Sequence, residues 1–153
     1  SMTNLYNKNY LNEQVINIIE RSKRYEETFS LVVVDIDNLK KINDQYGHIM
    51  GDHFINTVAY KLQTSSRNSD IIARFGGDEF VAIYLMSDRS EIIRKLDNLA
   101  IETDYIDENE SLKFKITFSY GISVFPTDGE TYYELLNIAD ARMYQSKKEK
   151  KAQ

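Results

Sequence analysis

The 153-residue chain is 42% hydrophobic and 28% charged with a single proline, a composition that suits one folded domain in a length too short for two. It contains no cysteine, which excludes a disulfide framework and a thiolate metal site and fits a reducing, cytoplasmic setting. A net charge of -5 argues against a nucleic-acid track, no apolar run approaches the ~20 residues that cross a bilayer, and no charged-then-apolar leader precedes the first helical pattern.

Asn7 to Tyr25 places Tyr10, Leu11, Val15, Ile18 and Ile19 on one helical face. Phe29 to Ile36 holds the run Leu31-Val32-Val33-Val34, β-branched and without alternation, as in a strand buried on both faces. A short helical turn from Leu39 to Gln45 precedes Gly47, and a helix from about Met50 to Leu62 follows. Asp70 to Phe75 and Phe80 to Leu85 are strand-like runs joined by Gly76-Gly77-Asp78-Glu79, a hairpin signal because glycine accepts positive φ. Ser90 to Thr103 returns to helical spacing. Leu112 to Phe118 alternates as a half-buried strand, Gly121 to Phe125 suggests another short strand, and Tyr132 to about Lys150 closes as a helix. The order predicts an α/β (α+β) layered domain: a central, mainly antiparallel sheet covered by helices.

Two acidic clusters fall at strand ends or turns, Asp35 with Asp37 and Asp78 with Glu79. A carboxylate abutting a buried apolar run is costly to desolvate without a partner, and a hard divalent cation bound by oxygens is such a partner. Two carboxylates from separate elements, with a backbone carbonyl such as that of Ile36, can hold Mg²⁺ on a triphosphate. Solvated acids that cap the following turn explain the same residues. The crowded Lys147, Lys148, Lys150 and Lys151 are equally open, either to a solvated helix end complementing the helix dipole or to phosphate binding.

Arg74-Phe75-Gly76-Gly77-Asp78-Glu79-Phe80 resembles the defining motif of the GGDEF family, the diguanylate cyclases. Further segments match in order: Thr3-Asn4-Leu5-Tyr6-Asn7, the stretch from Asp35 through Tyr46-Gly47-His48, Gly51-Asp52, Ser119 to Ser123, and Ala139 to Lys147. The resemblance implies a palm-like nucleotide cyclase fold whose hairpin carries the active-site motif. It also implies condensation of two GTP into cyclic di-GMP across a homodimer, with a regulatory or sensory domain preceding this single domain in a longer protein. Neither nucleic acid nor a membrane is an expected partner of this segment.

The same resemblance implies residue roles. Asp35, the Ile36 carbonyl and Asp78 match ligands of two Mg²⁺ ions, for which Mn²⁺ can substitute, and Glu79 matches the group that orients or deprotonates the attacking 3′-hydroxyl. Gly76 and Gly77 would let the tip lie against the nucleotide. Asn43 and Asp52 match the guanine readers, because a carboxylate accepts from both guanine donors and adenine lacks that pair. Asn38, Leu39, Lys40, His48, Lys147 and Lys151 match phosphate contacts. The family's usual Gly-Arg-Asn run after Lys147 reads Lys150-Lys151-Ala152 here, and lysine lacks the guanidinium fork. Arg67 and Asp70 resemble the RxxD site at which product binds back, and their placement before the hairpin favours that reading over a loop ion pair. Two other readings share these residues. One is a weakly active module that senses GTP or cyclic di-GMP, and the other is an adenylyl cyclase or polymerase-like palm, which the guanine readers disfavour.

Overall fold

The computed structural model describes residues 5–102, 104–106 and 113–152. The elements run α1 (Lys8–Tyr25), β1 (Phe29–Ile36), α2 (Leu39–Tyr46), α3 (His48–Thr64), β2 (Ile71–Arg74), β3 (Glu79–Leu85), α4 (Arg89–Glu102), β4 (Asp104–Ile106), β5 (Lys113–Lys115), β6 (Phe118–Phe125) and α5 (Tyr132–Lys151). The main sheet has the order β2-β3-β1-β6 with every neighbouring pair antiparallel.

The apolar run of β1 explains its central place. Phe29, Leu31, Val32, Val33 and Val34 are wholly buried, so both faces need cover. Val32, Val34 and Ile36 pack with Phe54, Val58 and Leu62 of α3 and Ile92 and Leu96 of α4. Phe29, Leu31 and Val33 pack with Leu11 and Val15 of α1 and Leu135, Ala139 and Met143 of α5. Each such side chain contributes roughly 1.5–3 kcal/mol on burial, so helices on both faces follow from this strand's composition.

At Gly121 the backbone of β6 touches α5 directly, since an added Cβ would lie 2.0 Å from the Ala139 carbonyl oxygen and 2.4 Å from the Met143 nitrogen. This close approach sets the height at which α5 crosses the sheet, and with it the position of Lys147 one turn beyond Met143. Gly47 ends α2 and starts α3 at φ 91°, a conformation that glycine adopts without strain.

Three expectations change. The strand read from Leu112 to Phe118 is two elements: β5 belongs to a separate ribbon with β4, and β6 begins at Phe118 and absorbs the Gly121–Phe125 run. The alternation crosses the break because Ile116 and Phe118 both face the core although Ile116 and Thr117 lie between the two strands. Leu112 itself lies outside the described residues, as do Thr3, Asn4 and Thr103. Strand β4 was not anticipated, since three residues carry no readable period. Finally, Gly76 and Gly77 bridge the hairpin without positive φ; among the described glycines only Gly47 has it.

Candidate active site

Strand register brings the acids together. Asp35 pairs with Glu79 across β1 and β3 and with Ser119 across β1 and β6, and the Ile36 amide donates to the Asp78 carbonyl at 3.2 Å. The hairpin tip is therefore fastened to the end of β1, with Asp78 beside Asp35. From the opposite side, α5 delivers Lys147, whose Nζ donates to Asp35 Oδ2 at 2.6 Å and approaches the Ile36 carbonyl at 3.5 Å. The other carboxylate oxygen, Asp35 Oδ1, is buried without a hydrogen-bond partner.

Negative charge exceeds positive at this point. Burial pushes the Asp35 carboxyl above its ordinary range and neighbouring Asp78 adds to this, outweighing the opposite pull of Lys147. Glu79 is raised as well, first by burial and then by Asp140, Asp35 and Asp78. An orphaned carboxylate oxygen, a second carboxylate and a backbone carbonyl form an oxygen-only donor set suited to a hard divalent cation, while the Lys147 ammonium occupies the other Asp35 oxygen. No group of three or more histidine or acidic side chains with metal-binding spacing gathers among the described residues.

Asp78 borders a cleft of about 880 Å³ that is also lined by Ile36, Asp37, Asn38, Leu39, Lys40, Lys41, Asp44, Gln45, Thr117, Lys147, Lys150 and Lys151. Asn38 opens α2 from a left-handed conformation at φ 60°, and its side chain makes no capping bond, so the first turn of the helix presents amides to this cleft. Of the expected site residues, Ile36, Asn38, Leu39, Lys40, Asp78, Lys147 and Lys151 share the lining. Asp35, Asn43, His48, Asp52, Gly76, Gly77 and Glu79 do not line it, although Asp35 stands beside Asp78, which does. Asn43 packs so closely on Gly51 that a Cβ there would lie 1.7 Å from Asn43 Oδ1, and that oxygen is buried without a partner.

The sequence leaves Asp37 open to a cation or a cap and Lys150 open to a solvated helix end or a phosphate, and the structure pairs them with each other. Lys150 Nζ donates to Asp37 Oδ2 at 2.8 Å and to the Phe118 carbonyl at 2.5 Å, while Ser119 and Thr117 hydroxyls donate to the same carboxylate at 2.7 and 2.8 Å. Burial alone would raise the Asp37 carboxyl, but these donors hold it below its usual value. The pair ties the last turn of α5 to the start of β6. Nothing in the sequence distinguishes this lysine from its neighbours, because its partner lies 113 residues away.

The glycine tip is spacious. A Cβ at Gly77 meets nothing within 4 Å and one at Gly76 meets only Glu79 Cβ at 3.9 Å. Neither backbone angle nor internal packing demands glycine at these positions, which directs attention to what lies against the tip from outside.

Arg67 and Asp70 form the ion pair that the sequence left open. The Asp70 side chain is fully buried and accepts from the Arg67 amide at 3.0 Å, from Arg67 Nη2 at 3.1 Å and from the Leu85 amide at 3.3 Å. Arg67 also donates to the Leu85 carbonyl and to Ser87 Oγ, yet remains half exposed over a small cavity of about 270 Å³ shared with Leu5, Tyr6 and Gln63.

Among the described residues no helix is long and apolar enough to cross a membrane. Residues 1–153 match the model of the family described as "Diguanylate cyclase, GGDEF domain". The chain is 34% identical over 150 residues to the bifunctional diguanylate cyclase/cyclic di-GMP phosphodiesterase MucR of Pseudomonas aeruginosa, covering 96% of this chain and 22% of that protein. It is 30% identical to the response regulator PleD of Caulobacter vibrioides, covering 95% and 33%. It is also 31% identical to a protein named as a cyclic di-GMP phosphodiesterase, NbdA of P. aeruginosa, covering 96% and 19%. The chain thus spans about a fifth to a third of these relatives. The GGDEF domain of TpbB from P. aeruginosa superposes with a TM-score of 0.90 at 27% identity, over 97% of this chain and 88% of that one. The GGDEF domain of DgcB from Caulobacter crescentus, solved in complex with c-di-GMP, superposes with a TM-score of 0.88 at 27% identity, over 97% and 89%. With the whole length matched, the cyclase palm formed and the motif at the tip of its hairpin, the chain belongs to the GGDEF diguanylate cyclase domain family.

Proposed function

We propose that this domain condenses two GTP molecules into cyclic di-GMP and releases two pyrophosphates. One observation carries the reading: Asp35, with a buried orphan oxygen, stands beside Asp78 and the Ile36 carbonyl at the rim of a cleft supplied with five lysines. Two Mg²⁺ ions, or Mn²⁺, would be held by Asp35, Asp78 and the Ile36 carbonyl, and would neutralise charge on the phosphates and on the transferring group.

The protein's own part is positioning and proton handling. Amides of Asn38 and Leu39, with Lys40, Lys147 and Lys151, hold the triphosphate, and His48 stands one helix start away. Asn43 and Asp52, on the adjacent helices α2 and α3, read the guanine edge. Glu79, its affinity for a proton raised by burial and by neighbouring acids, takes the proton of the 3′-hydroxyl. The oxygen so freed bonds to the α-phosphorus of the GTP on a second copy, the bond to the pyrophosphate oxygen breaks, and the exchange repeats in the opposite sense. The open tip at Gly76 and Gly77 leaves room for two nucleotides to meet. A regulatory domain elsewhere in the full protein would govern the encounter, and cyclic di-GMP would bind back at Arg67, the exposed member of its pair.

Incubation at high protein concentration with GTP and Mg²⁺ should yield cyclic di-GMP, and Asp78→Ala should not. Absence of product at every concentration overturns the cyclase reading. The alternative, a module that binds GTP or cyclic di-GMP with little turnover, is favoured by lysine rather than arginine at position 151. Calorimetry with each nucleotide beside the turnover assay separates the two.

A further inference from the structure

The segment that precedes α1 is joined to the hairpin tip through one residue. Tyr6 forms a parallel bridge with Ala73 on the outer edge of β2, and its carbonyl accepts from the Arg74 amide at 3.0 Å. The short strap is held in place by its own contacts. Tyr6 stacks on Tyr10 with ring centroids 4.1 Å apart, Leu5 packs on the core, and Lys8 lies over the Phe75 ring at 4.6 Å. Arg74 then turns its side chain the other way along the hairpin. Nε donates to the Gly76 carbonyl at 3.2 Å and Nη2 to the Gly77 carbonyl at 2.8 Å.

The two glycines have no side chains with which to hold themselves; an added Cβ would meet nothing within 4 Å at Gly77 and only Glu79 Cβ, at 3.9 Å, at Gly76. Their placement rests on backbone bonds on either side, where the Phe75 and Gly76 amides donate to the Glu79 carbonyl at 2.8 and 3.2 Å and the Ile36 amide donates to the Asp78 carbonyl at 3.2 Å, and on the Arg74 fork that alone among the described residues holds the two glycine carbonyls. Asp78, next in the chain, is the residue whose carboxylate must meet Asp35. A rigid planar fork that satisfies two successive carbonyls suits this task, whereas an ammonium on a flexible stem reaches one at a time.

We propose that Arg74 is a positioning residue for the Gly76-Gly77 tip and that the Tyr6 strap holds Arg74, so that displacement of the segment before α1 changes the placement of Asp78 and Glu79. The inference rests on the cyclase reading only for its turnover assay; its backbone readout stands without it.

Hydrogen exchange of the Phe75 and Gly76 amides, together with GTP binding and turnover, should be measured for the wild type, Arg74→Ala, Arg74→Lys, Tyr6→Ala and the Tyr6→Ala/Arg74→Ala double variant. Arg74→Ala should speed exchange at both amides while β1 and β6 amides keep their protection, which also shows that the variant is folded. Turnover should fall on the order of 10- to 100-fold, with a much smaller change in KM, as expected for misplaced rather than missing groups. Arg74→Lys should recover part of both effects. Tyr6→Ala should speed exchange at the Arg74 amide and at the tip, and the double variant should resemble Arg74→Ala alone rather than the product of the two. Unchanged tip exchange in Arg74→Ala, or independent effects of the two single changes, overturns the proposal. If the wild type makes no cyclic di-GMP, the cyclase reading fails while the exchange data still decide the brace.

Discussion

Lys147 reaches Asp35 across 112 positions of sequence, and its ammonium lies 2.6 Å from one carboxylate oxygen while the other oxygen is buried and unpartnered. The pair is only partly shielded, with side-chain exposures of 22% and 15%, and it is surrounded by Asp78, Glu79 and Asp140. Lys147 is thus the principal compensation for a crowded acidic group. Lys147→Ala should lower unfolding free energy by about 1 to 3 kcal/mol in urea at neutral pH, the cost of leaving a buried acceptor unsatisfied. Adding Asp35→Asn should recover most of that loss; failure to recover it would mean that the lysine stabilises by packing instead.

Gly121 should tolerate no side chain. An added Cβ would meet backbone atoms of α5 at 2.0 and 2.4 Å, and backbone cannot swing aside as a side chain can. Gly121→Ala should destabilise by about 1–3 kcal/mol or more, read from the urea midpoint. It should also weaken GTP binding by shifting the helix that carries Lys147.

The Asp128 carboxylate anchors the middle of α5, accepting from Arg142 Nη2 at 3.0 Å and from the Val124 amide at 2.8 Å. Arg142 above all, aided by that amide, holds the Asp128 carboxyl below its usual value. A depressed folded-state value stabilises at neutral pH and is lost as pH falls through it. The stability difference between the wild type and Asp128→Asn should therefore be full at pH 7 and shrink below the ordinary value of 3.8. With Arg142 39% exposed, screening limits the neutral-pH difference to about 1 kcal/mol.

Within the Arg67–Asp70 pair the two partners should separate by assay. Asp70 is fully buried and also secures the Leu85 amide, so Asp70→Ala should cost about 2–4 kcal/mol of stability. Arg67→Ala should cost about 1–3 kcal/mol, since it leaves the buried Asp70 carboxylate to backbone donors, yet carry the larger loss of cyclic di-GMP affinity by calorimetry. Equal effects of both changes on stability and affinity would argue that the pair has one structural task.

Lys151 lines the cleft as a point charge. Lys151→Arg should lower KM for GTP a few-fold at unchanged stability, because a guanidinium fork binds phosphate through two bonds. No change would place the lysine outside reach of the phosphates.

Most of this molecule was legible in the chain itself. The unalternating run of β1 required cover on both faces, the helical stripes supplied it, and the glycine-acid tip between two apolar runs located the hairpin, because each of these is a local pattern of burial or backbone freedom. Short or interrupted elements were not legible: β4 has too few residues to show a period, and the alternation through Ile116 and Phe118 concealed a break. Partnerships were decided only by the tertiary structure. Whether Asp35 meets Lys147, whether Lys150 rather than its neighbours clamps Asp37, and whether Arg67 is already bound to Asp70 depend on strand register and on the height of α5 over Gly121. These arise from long-range packing, which composition and spacing do not encode locally.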